Sequence, residues 1–257
     1  MQPTFQADFD ILHEDEEFLA VNKPPGLIVH PTKPHGPPTH LHGLRALLAF
    51  ELATGGQISI INRLDRETSG IVLVAKSLPA ARQACQAMEV RQVTKLYDAW
   101  VFGWPQWNTL TVSEPIALRR HIETSPVHLE RCIHPKGEPA TTHFQVLERH
   151  QHPRGPWAKI RARPITGRTH QIRVHLAFTG HPVIGDKLYA RSSLYYLEFI
   201  KTGWSPRLEH ALWLPRHALH CSQMELLGRK WQSPPPQDIL ATLQPAMPLP
   251  KTTASQP

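Results

Sequence analysis

The sequence predicts an α+β fold with a largely antiparallel mixed sheet flanked by helices and loops. Stretches with strand character outnumber those with helical spacing, and the two kinds do not alternate regularly as they do in β–α–β folds. No segment of the chain repeats. The 257 residues suffice for one sizeable core, and 40 % of them are hydrophobic, which is ordinary for a globular protein.

The first predicted elements are a β-hairpin and a helix. Within residues 9–32, DIL and FLAVNK have strand character, and the polar HEDEE between them is typical of a turn. Residues 24–26 are Pro-Pro-Gly, which breaks the second strand. Over residues 39–53, helical spacing predicts a helix that Thr39 could cap and whose apolar face carries Leu41, Leu44, Leu47, Leu48 and Leu52.

A short loop carrying Asp65 follows, and both strands that flank it are expected to be buried. Ile60 and Ile61 have the character of a strand end, and the apolar residues 71–75 that of a buried strand. Ser77 and Pro79 then signal a helix start. The later elements are predicted as a helix over 77–93, strands over 95–104, 138–150 and 157–166, a helix over 167–181 that Gly180 ends, and a strand over 218–227.

These elements predict one folded domain over residues 9–232, after a short tail over 1–8. Residues 106–140 are rich in Pro, Arg and His and are predicted to be irregular, and residues 190–216 give no sign of a target. From Ser233 the composition becomes Pro-rich and loses its periodicity. Residues 233–257 are therefore predicted to form a disordered tail.

Composition favours a nucleic-acid partner and gives no support to a metal or membrane protein. The formal net charge is +7 and the pI about 9.5, as in many proteins that bind polyanions. The three cysteines are scattered, and the closest histidine pairs, His40/His42 and His217/His220, lack a third ligand at a recognisable spacing. No signal peptide or membrane-spanning apolar run is present, so a cytoplasmic protein is expected.

Asp65 is the leading candidate for chemistry. A lone loop aspartate is usually a turn former or a solvated charge. Here Arg63 and Arg66 would favour the ionised carboxylate, and the small residues 68–70 would let a ligand backbone approach. An ionised, positioned carboxylate beside guanidinium groups suits a nucleophile or base that acts on a phosphate-bearing substrate.

A second basic cluster is GRTHQIRVHL, residues 167–176. In a helix, Arg173 would share a face with His170. An ordinary amphipathic helix would explain this pattern, but the Gly-Arg step at 167–168 suggests an anion near the helix N-terminus.

Five blocks of sequence resemble motifs of the RluA-type pseudouridine synthases. NRLDRETSGIVLVAKS resembles the family signature HRLDxxTSG. FLAVNKPPGLIVHP, KLYDAWVFG, GRTHQIRVHLAFTGHPVIGDKLY and LPRHALHCSQMEL resemble four further family motifs in the expected order. Together the blocks span roughly residues 9–230, and because fewer than ten residues precede the first strand, the S4 RNA-binding domain found in many relatives is not expected.

The resemblance implies the pseudouridine synthase fold and the isomerisation of uridine in ribosomal or transfer RNA, without cofactor or metal. A monomer is also expected. Asp65 matches the essential aspartate, which acts on the sugar or base of a flipped-out nucleotide. Tyr97 matches the tyrosine that stacks on the base, and Arg173 the basic partner of the carboxylate. Expected RNA contacts are Arg63, Arg66, Arg168, His170 and Gln171.

Two other interpretations are kept beside this one. A non-catalytic RNA-binding protein on the same fold would be expected to lack Asp65, Tyr97 or Arg173, and all three are present. A nucleobase-releasing glycosidase using the same aspartate would liberate free uracil. The sequence departs from the commonest motif at Asn62, where histidine is usual. Asparagine can still hydrogen-bond the loop, so activity is expected, while its effect on substrate contacts is left open.

Overall fold

The computed structural model describes residues 10–27 and 57–243, together with the single residues 29, 44 and 52. The predicted N-terminal tail, His40/His42 and most of the helix predicted over 39–53 lie outside the described residues. Leu44 and Leu52 are both helical, and Leu44 is fully buried in the main core.

One large sheet organises the described part of the chain. Its strands are β1 (Asp10–Glu14), β2 (Phe18–Lys23), β3 (Ser59–Ile60), β4 (Ser69–Ala75), β5 (Val93–Phe102), β6 (Thr109–Val112), β9 (Thr142–His152), β10 (Gly155–Pro164), β11 (Leu219–Leu226) and β12 (Arg229–Gln232). Their order is β1-β2-β4-β11-β5-β10-β9-β6, with β3 beside β4 and β12 beside β11. Of these described pairs only β4–β11 is parallel, which confirms the predicted largely antiparallel mixed sheet.

A second, two-stranded sheet and five helices complete the described fold. The small sheet pairs β7 (Ile116–Leu118) with β8 (Arg131–Ile133). The helices are α1 (Leu78–Glu89), α2 (Gln171–Phe178), α3 (Leu194–Thr202), α4 (Pro206–Leu212) and α5 (Gln237–Leu243). Among the described helices, none is long and apolar enough to cross a membrane.

The two predicted helices after the Asp65 loop form for the expected reasons. The Ser77 hydroxyl caps α1 by accepting from the Ala80 N–H, and proline occupies the first turn. The alanines of α1 form its buried face, in the main core. Two residues beyond α2, Gly180 takes a φ of 81° that favours glycine.

Two predictions about irregular segments were wrong. Residues 106–140 contain β6, β7, β8 and a 3-10 turn at Arg119–His121. These strands are three or four residues long, too short to give a readable alternation. Residues 233–243 are also ordered, because α5 buries Ile239 completely and leaves Leu243 only 2 % exposed. The predicted disordered tail beyond residue 243 lies outside the described residues.

The fold places the Asp65 loop at the middle of the large sheet. All seven residues of β4 are buried, whereas β3 is only two residues long and half-buried, contrary to expectation. At the start of β4, a Cβ on Gly70 would lie 2.3 Å from the Cys221 carbonyl oxygen of β11. Glycine is therefore required there by a neighbouring strand of the protein itself, and not by a ligand backbone as the sequence suggested.

Candidate active site

The Asp65 loop, residues 61–68, is fixed to β4 by the side chain of Asn62. Its amide nitrogen donates to the Ile71 carbonyl at 2.9 Å, and its amide oxygen accepts from the Leu73 N–H at 2.8 Å. The side chain is buried. Asn62 therefore completes the hydrogen bonding of β4, and both ends of its side chain are engaged by the protein.

A buried lysine supports the same loop from the side of β2. The Lys23 ammonium donates to the carbonyls of Pro24, Leu27 and Arg66 at 2.7, 3.0 and 3.1 Å. The Gly26 N–H also donates to the Arg66 carbonyl, at 2.8 Å. These bonds join residues 23–27 directly to the carbonyl of Arg66, the residue after Asp65.

Asp65 and Arg173 meet in the structure, as the family resemblance implied. A terminal nitrogen of Arg173, Nη1, donates to Asp65 Oδ2 at 2.9 Å. The other side of the guanidinium binds Asp186 in a bidentate pair, with Nε–Oδ2 at 2.6 Å and Nη2–Oδ1 at 2.8 Å. The Asp65 side chain remains 28 % exposed, against 5 % for Arg173 and 0 % for Asp186. One carboxylate of this triad therefore remains accessible to a ligand.

The electrostatics keep that accessible carboxylate ionised. Burial alone would raise the pKa of Asp65. The charges of His170, Arg173 and His217, with the hydrogen bond from the arginine, outweigh burial and lower the pKa to about 2. Burial lowers the pKa of both histidines, so at pH 7 they are largely neutral and Arg173 is the cation that acts.

This result corrects the role expected of the local arginines. Arg63 and Arg66 are both exposed, and Arg66 Nε donates to the Gly26 carbonyl at 3.0 Å. Neither is among the groups with the largest effects on the pKa of Asp65. The two side chains remain candidates for RNA contact, a role for which exposure is needed.

The aromatic candidate, Tyr97, lies on β5 and is 8 % exposed. On this strand it is paired with Cys221 of β11 and Ala162 of β10. Burial raises the pKa of Tyr97 well above its ordinary value, and the neighbouring Cys221 and the Asp65 carboxylate raise it further. Tyr97 is thus a neutral phenol, and its hydroxyl lies close enough to Asp65 for the charge of the carboxylate to raise its pKa.

Three residues at the start of α2 were predicted to contact RNA, and the structure places their side chains in different environments. Arg168 is exposed and pairs with Glu138. His170 is half-buried beside the Asp65–Arg173 pair and carries a left-handed backbone.

Gln171 is the exception among them, because its side chain is buried and internally bonded. Its amide oxygen accepts from the Thr166 hydroxyl and the Arg168 N–H, and its amide nitrogen donates to Thr141 O and Thr142 Oγ1. The side chain of Gln171 is therefore fully engaged by the protein in this structure, where it holds the chain that leads into α2.

A second set of ion pairs anchors the far end of the Asp65 loop. Glu67 accepts from the Lys187 ammonium at 2.8 Å and lies 3.4 Å from His217 Nδ1. His217 Nε2 lies 2.7 Å from the Thr68 hydroxyl, and His220 Nδ1 lies 2.9 Å from Ser69 Oγ. The histidine pair considered for metal binding thus bonds two hydroxyls. Within the described ranges no three His, Cys, Asp or Glu side chains are grouped as metal ligands.

The chain is similar to known proteins in both sequence and structure. Residues 17–178 match the RNA pseudouridylate synthase family. The chain belongs to this family. Ribosomal large subunit pseudouridine synthase D of Salmonella typhimurium is 35 % identical over 243 residues, which cover 90 % of this chain and 68 % of the relative. The protein of the same name from Escherichia coli K12 is 33 % identical over 250 residues, covering 91 % and 69 %.

Solved structures agree with the pseudouridine synthase fold. Human RNA Pseudouridylate Synthase Domain Containing 4 superposes with a TM-score of 0.69 and 27 % identity, covering 91 % of each chain. Human RNA Pseudouridylate Synthase Domain Containing 1 gives a TM-score of 0.65 and 26 % identity, covering 91 % of this chain and 86 % of its own. The chain is an RNA pseudouridine synthase, an isomerase whose partner is RNA.

Several residues of this synthase site were missed by sequence reasoning. Asp186, Lys23 and Glu67 are charged groups that hold the Asp65–Arg173 pair or its loop. All three lie inside the motif blocks, so a signal existed. Their roles could not be read from it, because the partners are not sequence neighbours: Asp186 bonds Arg173 13 positions away, Lys23 bonds Arg66 43 positions away, and Glu67 bonds His217 150 positions away.

Proposed function

We propose that this synthase converts uridine to pseudouridine in the RNA of the large ribosomal subunit, with Asp65 as its catalytic carboxylate. The observation that carries the proposal is the Asp65–Arg173 pair, in which a partly exposed carboxylate is held ionised by a buried guanidinium. The substrate class follows the printed names of the curated relatives.

In this proposal the target uridine leaves the RNA stack and enters the site beside Asp65. Extrusion costs a few kcal/mol, and stacking on Tyr97 returns about 1–3 kcal/mol of that cost. The glycosidic N1–C1′ bond breaks, the uracil reorients, and a C5–C1′ bond forms. The proton on C5 then leaves and N1 gains one, so the product has the same composition as the substrate.

The electrostatics give Tyr97 and Asp65 different roles in this proposal. Because the pKa of Tyr97 is raised well above its usual value, the phenol remains protonated and serves as a stacking ring and hydrogen-bond donor. Asp65, with a pKa of about 2, is the ionised group available to act on the nucleotide. Exposed Arg63, Arg66 and Arg168 provide cations for the RNA backbone.

We also propose that the enzyme works as a monomer in the cytoplasm without a cofactor or metal. The isomerisation moves one bond within one nucleotide and needs no oxidant or reductant. Treatment with EDTA, under conditions that keep the RNA folded, tests the metal part of this proposal. A loss of activity that zinc alone restores would contradict it.

The deciding experiment is Asp65→Asn, with Asp10→Asn at an exposed position of β1 as the matched control. Each variant is returned to cells that lack the wild-type gene, and pseudouridines are mapped in large-subunit ribosomal RNA and in transfer RNA. We expect Asp65→Asn to bind RNA and form no pseudouridine, and Asp10→Asn to restore the modification. Pseudouridine formed by Asp65→Asn would refute its role, free uracil would indicate a glycosidase, and loss only from transfer RNA would refute the ribosomal substrate.

A further inference from the structure

His170 has a backbone conformation that its residue type does not favour. It precedes α2 with φ 60° and ψ 13°, in the left-handed region. Non-glycine residues held in sparsely populated conformations cluster at functional sites, where the surrounding structure must hold them. The hydrogen bonds of this side chain therefore show what keeps it in place.

Tyr189 provides that support. Its hydroxyl lies 2.7 Å from His170 Nδ1 and accepts from the Arg131 N–H of β8 at 3.0 Å. The face of the same ring lies 5.0 Å from the Arg173 guanidinium carbon. Tyr189 thus contacts the small β7–β8 sheet, the start of α2 and the cation that pairs with Asp65.

The hydrogen bonds at the Tyr189 hydroxyl determine the histidine tautomer. A phenol has one proton to donate, and the Arg131 N–H already occupies an acceptor position on the oxygen. If His170 Nδ1 carried a proton, it and the Arg131 N–H would both donate to the phenol oxygen, and the proton of this half-buried phenol would have no acceptor among the described residues, which is costly. The phenol therefore donates to Nδ1, and the neutral imidazole carries its proton on Nε2.

Charge then indicates what kind of atom this Nε2–H can bind. Burial, and next Arg173, lower the pKa of His170 to about 4, with Asp65 and Asp186 opposing them. At neutral pH the ring is an uncharged donor. Nε2 has no hydrogen-bond partner among the described residues. A neutral, fixed donor suits an uncharged acceptor, whereas phosphate is better matched by the exposed arginines of this site.

We propose that Tyr189 positions His170 so that its Nε2–H donates a hydrogen bond to a carbonyl oxygen of the flipped uracil. Tyr189 is then a positioning residue for the base, although it does not touch the base itself. This inference deepens the proposed function and rests on it for the identity of the ligand. The tautomer can be tested without RNA.

The first test is a double-mutant cycle on the single-turnover rate at saturating RNA. Tyr189→Phe keeps the ring against Arg173 and removes only the hydroxyl. We expect it to slow isomerisation roughly 10-fold, as for the loss of one hydrogen bond, with RNA affinity little changed. His170→Ala should be at least as slow, and the double variant no slower than His170→Ala. The proposal would be overturned if the rate losses of the two single variants multiplied in the double variant, or if Tyr189→Phe kept the wild-type rate.

The second test places sulfur in the substrate. Replacing a uracil carbonyl oxygen with sulfur, in 2-thiouridine or 4-thiouridine at the target position, weakens the acceptor. One of the two substitutions should slow the wild-type enzyme and have a smaller effect on His170→Ala. An equal effect of both substitutions on the two enzymes would exclude a His170 contact to a carbonyl.

The third test observes the imidazole directly in the free enzyme. In ¹⁵N-histidine-labelled protein, the signal lost in His170→Ala identifies His170 among the 17 histidines. At neutral pH we expect it to carry its proton on Nε2, and Tyr189→Phe to remove that preference while the melting temperature stays close to wild type. A proton on Nδ1, or a charged ring, would contradict the tautomer even if the role of Asp65 were confirmed.

Discussion

Arg173→Ala should destabilise the protein more than the sequence alone suggests. If Asp65 were the sole partner of Arg173, the loss of stability would be modest, because a partly exposed carboxylate can take up a proton. The structure adds Asp186, which is fully buried and bound by two nitrogens of the same guanidinium. Removing one member of a buried pair costs about 3–5 kcal/mol, and we expect a loss in this range.

A second substitution separates the two carboxylates. Arg173→Ala combined with Asp186→Asn removes the buried charge that the single variant leaves unpaired, and it should recover roughly 1–3 kcal/mol. Urea unfolding of the wild type, both single variants and the double variant measures these differences. A loss below about 1 kcal/mol for Arg173→Ala, or no recovery in the double variant, would refute the reasoning.

The same variant should change the pH dependence of activity. The pKa of Asp65 lies near 2, below its ordinary 3.8, so its pairing stabilises the fold above about pH 4 and is lost as the pH falls toward 2. Without Arg173, burial dominates and the pKa rises. Single-turnover rates from about pH 5 to 9 should then fall on the acidic side in Arg173→Ala and not in the wild type. An unmoved profile would show that Arg173 does not control Asp65.

Three further outcomes test the supporting structure. Gly70→Ala should fail to fold stably, since its Cβ would lie 2.3 Å from the Cys221 carbonyl oxygen; thermal melting checks this. Burial lowers the pKa of Lys23 from 10.5 to about 7. Between these pH values the unfolded chain binds a proton that the folded protein does not, so the free energy of unfolding of the wild type should rise with pH relative to that of Lys23→Met, as urea titrations would show. Ile239→Ala should cost about 2–5 kcal/mol in the same assay, whereas a disordered segment would cost nothing.

Sequence patterns predicted the strands and helices that have a clear period or cap. The hairpin of β1 and β2, the capped helix α1 and the long strands β9 and β10 all formed near the expected residues. The short strands β7 and β8 could not be predicted in this way. Three residues do not show an alternation, and their pairing depends on tertiary contacts.

The site shows the same division between local pattern and spatial contact. Asp65 and Arg173 could be named from motifs, but the reason given for the ionised carboxylate was wrong in part. The neighbouring Arg63 and Arg66 are prominent in the sequence, yet their side chains are exposed. The buried charges that matter, such as Asp186, are brought in by folding. Likewise, α5 gave no signal because its proline-rich surroundings hide a short helix that packs through Ile239 and Leu243.

The distant partners of the Asp65 loop have a consequence for the newly made chain. Asp65 lies 108 residues before Arg173, and Thr68 lies 149 residues before His217. The β4 strand behind the loop pairs with β11, and Arg216 beside that strand is bound by Asp238 of α5. Contacts of such long range form late and slowly. During synthesis from the N-terminus, the loop is made early but remains without its partners until almost all of the described chain has emerged. Nascent or truncated chains that carry the signature motif should therefore be inactive toward RNA.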